Sequence, residues 1–231
     1  MVVAFLNILN VFATPTEVFV RVKENPKWLG AFAFITVVSM VVAVFAAPFA
    51  KEIALLALSQ KLQADQAEQA VAMSQRFQYI GLAVAPLLLL LRWLVIAAVL
   101  YFVAILLSVE ALKFKTVYAV VVYSEMILLL MGVINILLLY LKGIGSVHHI
   151  TDLQAIIGLD ILLTDRSANL PLFTLLNSIN VFSIWYLGTL TIGISVITNL
   201  SKLKSAVLVT SGWLLGVGFQ VAFAAISMSV Q

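Results

Sequence analysis

The chain contains no cysteine. That absence excludes disulfides, thiolate catalysis, thiol–metal ligation and palmitoylation. Charge is scarce as well. Asp, Glu, Lys and Arg make up 10% of the 231 residues, against about 25% in a soluble domain. The net charge is only +3 and no run of four basic residues occurs, so nothing supports nucleic-acid binding. Histidine is limited to His148 and His149. With Asp152 they form the one cluster that resembles metal ligands. Adjacent histidines point in different directions in regular structure, so a polar loop is the simpler reading and no metal is assigned. Also missing are a HExxH helix, a Gly-x-Ser-x-Gly elbow and a phosphate-binding glycine loop, so no catalytic residue and no cofactor site is assigned. The N-terminal "MVVAFLNILNVFATPTEVFV" has no basic leading region, and Asn7 and Asn10 break its apolar stretch. It does not read as a secretory signal.

What the chain does have is apolar length. Hydrophobic residues are 64% of the sequence, gathered in blocks of 20 or more, enough to cross a hydrocarbon core of about 30 Å. The expectation is an all-α integral membrane protein with five transmembrane helices, at about residues 28–50, 79–108, 116–141, 172–198 and 206–228. These spans form one membrane domain over 28–231, preceded by an N-terminal amphipathic segment over 1–27. Pro48 stands near the end of the first span and Pro86 near the start of the second.

The N-terminal segment has readable helix ends. Thr14 is placed to cap, Pro15 to take the first helical position and Glu17 to close a capping box. Val18, Phe19 and Val22 share a face, and Asn25-Pro26 stops the helix. The segment reads as a helix lying in the membrane interface, a reading compatible with a docking surface for a partner. Residues 51–76 contain no Gly or Pro and predict a helical polar loop between spans one and two. It is either two extensions reversing near Ala64 to Glu68 or one amphipathic surface helix. Within the long connection from Lys142 to Leu170, "LQAIIGLDILL" is too short to span and predicts an interfacial or re-entrant piece.

Five spans put the termini on opposite sides. Arg21, Lys23, Lys27, Lys113, Lys115, Lys202 and Lys204 fall on one side in short segments. Lys51, Lys61, Arg76, Lys142 and Arg166 fall on the other, diluted in longer loops. The bias places the N-terminus in the cytoplasm.

Two ionisable residues lie inside spans, Arg92 in "LLLLLRWLVI" and Glu125, and each is the obvious partner of the other. Counting from the span ends puts their Cα atoms roughly 10 Å apart in depth, which disfavours a pair. A snorkelling Arg92 and a neutral Glu125 are the plain alternatives. A proton-coupled carrier would use such a pair, though no internal repeat accompanies it. Gly212 and Gly216 form a small-xxx-small pair in the last span, and Gly188 lies in the fourth. Such residues serve helix packing within the chain or between copies.

"LNSINVFSIWYLGTLTIGISVITNLSKLKSAVL" resembles the bacterial branch of the Yip family, the Ypt/Rab-interacting membrane proteins. The matching positions are Asn180, Phe182, Trp185, Leu187, Gly193, Lys202, Lys204 and Ala206. "FATPTEVFVRVKENPKW", "ADQAEQAVAMSQRF", "LKFKTVYAVVVYS" and "DLQAIIGLDILL" follow the family's order, so the resemblance covers nearly the whole chain. One departure is that many members carry a proline shortly after "Y-S" of span three, where Glu125-Met126 stand here. Glu125 is therefore not carried over as a family site. The resemblance implies five spans, a cytoplasmic N-terminus and no catalytic residue. The preferred reading is a non-enzymatic scaffold that organises the membrane by helix–helix association, with the lipid bilayer, other membrane proteins or a second copy of the chain as its partners. For eukaryotic relatives the resemblance implies trafficking and binding to Rab-type small GTPases. A bacterial chain would lack that machinery. The second class of function is a small ion or lipid carrier or channel using Arg92 and Glu125.

Overall fold

The computed structural model describes residues 2–59, 62–107 and 112–229. Among the described residues eight α-helices follow one another: α1 (Val2–Ala13), α2 (Pro15–Glu24), α3 (Leu29–Ser59), α4 (Ala64–Leu106), α5 (Phe114–Lys142), α6 (Leu170–Asn177), α7 (Val181–Thr198) and α8 (Lys202–Ser229). No strand occurs among the described residues. Among the described residues five stretches are long and apolar enough to cross a membrane: Leu29–Ser59, Tyr79–Leu106, Phe114–Lys142, Val181–Thr198 and Lys202–Met228. The protein is an all-α, multi-pass membrane protein with five such helices.

α5 is the centre. Its residues from Thr116 to Ile127 are all buried, with α1, α2, α3, α4 and α7 packed around it. α8 completes the group against α4, α6 and α7. Large apolar side chains on α3, α4 and α8 face outward, among them Val37, Phe45, Leu87, Phe219 and Phe223. That is the distribution expected where lipid, not water, is the solvent.

Several details differ from the sequence reading. The polar loop is two helical extensions, but the reversal lies before Ala64, because α3 runs through Pro48 to Ser59 and α4 already starts at Ala64. Ala64–Glu68 is instead the first turn of α4, where the acidic Asp65 suits the positive end of the helix dipole. Lys61 and the Arg76 side chain lie outside the described residues, as do residues 108–111 between the second and third spans.

At the N-terminus an additional helix, α1, precedes α2. Thr14 stands at the N-cap position of α2, its carbonyl accepting the Glu17 and Val18 amides, but its side chain makes no cap bond there and it also closes α1. Its amide donates to Asn10 O at 2.7 Å and its hydroxyl to the same carbonyl at 3.4 Å. The capping box does not form, and Glu17 instead faces Arg21 at 3.8 Å. The apolar face of α2, Val18, Phe19 and Val22, is buried inside the protein, with α7 its main neighbour, where the sequence suggested contact with lipid.

The fourth span is broken. α6 ends at Asn177 and α7 begins at Val181, both against α8. Lys202 and Lys204 belong to the first turn of α8 and not to a loop, since the Ser201 carbonyl and hydroxyl accept the Ser205 and Lys204 amides.

Candidate functional site

The intramembrane charges meet. Arg92 Nη2 stands 3.3 Å from Glu125 Oε1, with the arginine half exposed and the glutamate buried. Register explains why the depth count pointed the other way. The Tyr101 and Phe114 rings touch at 5.5 Å, which fixes α4 against α5. From that level Arg92 is nine residues back and Glu125 eleven on, about 14 Å and about 17 Å along antiparallel helices. The Cα atoms thus differ by only about 3 Å in depth. The arginine leans toward the N-terminus of its own helix and so toward Glu125.

The pair borders a cavity of about 220 Å³ between α3, α4 and α5, whose polar lining includes Ser39 and Trp93. Trp93 is fully buried and its indole N–H is unpartnered, although it turns toward the carboxylate, as does the Tyr186 hydroxyl. In this low-dielectric setting the guanidinium offsets the cost of placing the carboxylate among apolar neighbours.

A second set of polar contacts ties α7 to the N-terminal helices. Asn180 caps α7, its Oδ1 accepting the Phe182 and Ser183 amides at 3.0 Å each and its Nδ2 donating to Asn177 O at 2.9 Å. Phe182 and Leu187 pack on the core. Trp185 meets Phe12 of α1 edge-on at 5.9 Å. Gly193 lies where α5, α7 and α2 converge: a Cβ there would overlap Val120 Cγ1 and come within 3.1 Å of the Phe19 ring. At the end of α7, Lys23 Nζ donates to Val196 O at 2.8 Å and to Asn199 Oδ1 at 2.9 Å. Asn199 itself is left-handed, φ 58°. A cation from α2 thus closes the negative end of α7.

The family model described as the Yip1 domain matches residues 9–225. The chain belongs to the Yip family. No curated protein and no solved structure matches it.

In this Yip-family fold the glycines of α7 and α8 divide by use. Among the described residues Gly193 is crowded, whereas Gly188 and Gly216 have no atom within 4 Å of an added Cβ, and Gly212 has only Leu100 Cδ2 at 3.9 Å. Packing within the chain therefore does not account for Gly188 and Gly216.

At the other end of the bundle, sequence reasoning missed an organised polar node. Asn135 on α5 donates to Leu153 O and accepts the Ala155 and Ile156 amides. Asp160 is fully buried, 2.8 Å from Arg166 Nε. Gly158 N–H and Asn177 Nδ2 donate to its other oxygen at 2.6 and 3.0 Å. Arg166 also lies over the Phe173 ring at 4.9 Å. This node holds "LQAIIGLDILL" as an irregular stretch that begins where the 3₁₀ turn Ile150–Leu153 ends and contains a second turn, Leu159–Leu162, leaving Ile157, Ile161 and Leu162 exposed. Asp152 is occupied locally, its Oδ2 accepting the His148 and His149 amides at 2.9 and 2.8 Å. Nearby, the Ser167 hydroxyl and amide hold the Asp165 carboxyl below the usual carboxylate range.

Proposed function

We propose that this Yip-family protein is a non-enzymatic membrane-organising scaffold that binds other membrane proteins through its outer helix faces. The observation that supports this most directly is the open space over Gly188 and Gly216. In lipid, small residues serve the close approach of helix backbones, and among the described residues nothing stands within 4 Å of a Cβ added at either of these two for them to approach. A helix of another membrane protein, or of a second copy of this chain, is the complement. The setting that fits best is a bacterial inner membrane, with the N-terminus cytoplasmic and the C-terminus opposite. Rab-type GTPase binding belongs to eukaryotic relatives and is not extended here.

The test is a Gly216→Leu variant of the full chain, purified from membranes beside the parent. We expect an unchanged unfolding temperature together with loss of specifically co-purifying membrane proteins or of the homo-oligomer. Undiminished association in that variant would remove the reading.

A second reading, a small ion or lipid carrier, is favoured by one observation, the cavity bordered by Arg92 and Glu125. Reconstituted liposomes separate the two. pH-dependent ion or lipid flux that disappears in both Arg92→Leu and Glu125→Gln would replace the scaffold reading, and no flux alongside specific association would support it.

A further inference from the structure

We infer that the groove between α4 and the starts of α3 and α5 holds one acyl chain of an anionic phospholipid, with its phosphate at Lys115. The groove has a volume of about 600 Å³, inside the range of roughly 300–1,000 Å³ typical of small-molecule sites. Its wall on α4 is Leu87, Leu90, Leu91 and Leu94. That is i, i+3, i+4, i+7 spacing, one stripe about 10 Å long. The leucine run ahead of Arg92 therefore serves two faces. These four line the groove, while Leu89, Arg92 and Trp93 line the other cavity.

The mouth has the opposite character. Trp28 and Tyr118 meet there edge-on at 4.9 Å, beside Phe114 and Lys115. Among the described residues lining the groove, Lys115 alone carries a charge. It is exposed, so its ammonium is accessible. Two helices begin at this mouth, α3 at Leu29 and α5 at Phe114, and neither has an acidic residue in its first turn. Lys113, at the cap position of α5, makes no side-chain cap bond. No first-turn carboxylate therefore occupies the first amides of either helix, and their positive dipole ends add to the charge of Lys115. Helix N-termini with a nearby lysine bind phosphate oxygens. An apolar slot under a positive rim complements an amphiphile with an anionic head, and Trp28 suits the interface where head and chain join.

The experiment is native mass spectrometry of the detergent-solubilised full chain offered equal amounts of phosphatidylglycerol and phosphatidylcholine. The expected result is preferential retention of one phosphatidylglycerol. Lys115→Gln should cut that preference about fivefold, the weight of one lysine near an anionic headgroup. Lys142→Gln, at the other end of α5, should leave it intact. Leu91→Trp places a larger side chain in the groove from an already exposed position, and should lower retention of both lipids without changing the unfolding temperature. Equal retention of the two lipids by the parent chain would overturn the proposal, as would a preference untouched in Lys115→Gln. A lipid-free dimer that Leu91→Trp dissociates would also overturn it, by assigning the groove to a second copy.

Discussion

At Gly193 and Gly158 the missing Cβ is a packing requirement. A methyl at Gly193 would overlap Val120 and press on Phe19. One at Gly158 would stand 2.7 Å from Ile179 O and 2.9 Å from Asn177 O, where backbone has little room to shift. Each glycine-to-alanine change should cost about 1–3 kcal/mol, read as a lower unfolding temperature in detergent, while Gly188→Ala should move stability by under about 0.5 kcal/mol. Asp160→Asn should be costlier, about 3–5 kcal/mol, because it strands Arg166 beside a neutral group in a buried site; the same thermal measurement checks it. The sequence exposed the residue types but not their neighbours. Arg92 and Glu125 stood out as charges in apolar runs, yet whether they touch depended on helix register, which the Tyr101–Phe114 contact sets and no spacing rule reveals. Asp160 drew no notice as a site because its partner, Arg166, lies in an irregular loop, beyond the reach of helical periodicity.

Among the elements, α2 shows both what local chemistry encodes and what it leaves open. Pro15 and Asn25-Pro26 mark its ends, and its apolar stripe is legible from spacing alone. Which surface receives the stripe is a tertiary matter, decided by the small Gly193 on α7. Lys23 fastens the arrangement by closing the end of α7. Lys23→Met should loosen α2 by about 1 kcal/mol, seen as faster amide exchange across Pro15–Glu24 with exchange in α5 unchanged. Asn199→Gly should be tolerated in the left-handed turn, whereas Asn199→Val should cost about 1–2 kcal/mol in the same assay. α1 was hidden by Asn7 and Asn10, which look like breaks in an apolar run. In the fold Asn7 accepts a hydrogen bond from Arg21 at 2.8 Å and the helix continues past it. The division of the fourth span was signalled by "LNSIN", whose last asparagine caps α7, but uninterrupted hydrophobicity masked it.

At the scale of the whole molecule, five crossings and the all-α class were readable because hydrocarbon enforces long apolar helices and allows few alternatives. Orientation is testable with what the chain lacks. A parent without cysteine accepts single reporters directly, so Lys27→Cys and Lys204→Cys should label from the cytoplasmic face and Lys142→Cys from the opposite face with an impermeant maleimide. Exchange of the two faces between Lys27 and Lys142 would reverse this topology, and matching accessibility would overturn it. The break at Asn180 has a consequence for how the fourth span crosses. α7 has 18 residues, about 27 Å of helix, whereas α5 has 29, about 44 Å. One side of the bundle therefore presents an interrupted crossing and its centre a continuous one. Against a hydrocarbon layer of about 30 Å α7 alone is under-length, so α6, packed on the same α8, completes the crossing as a second, separately capped rod.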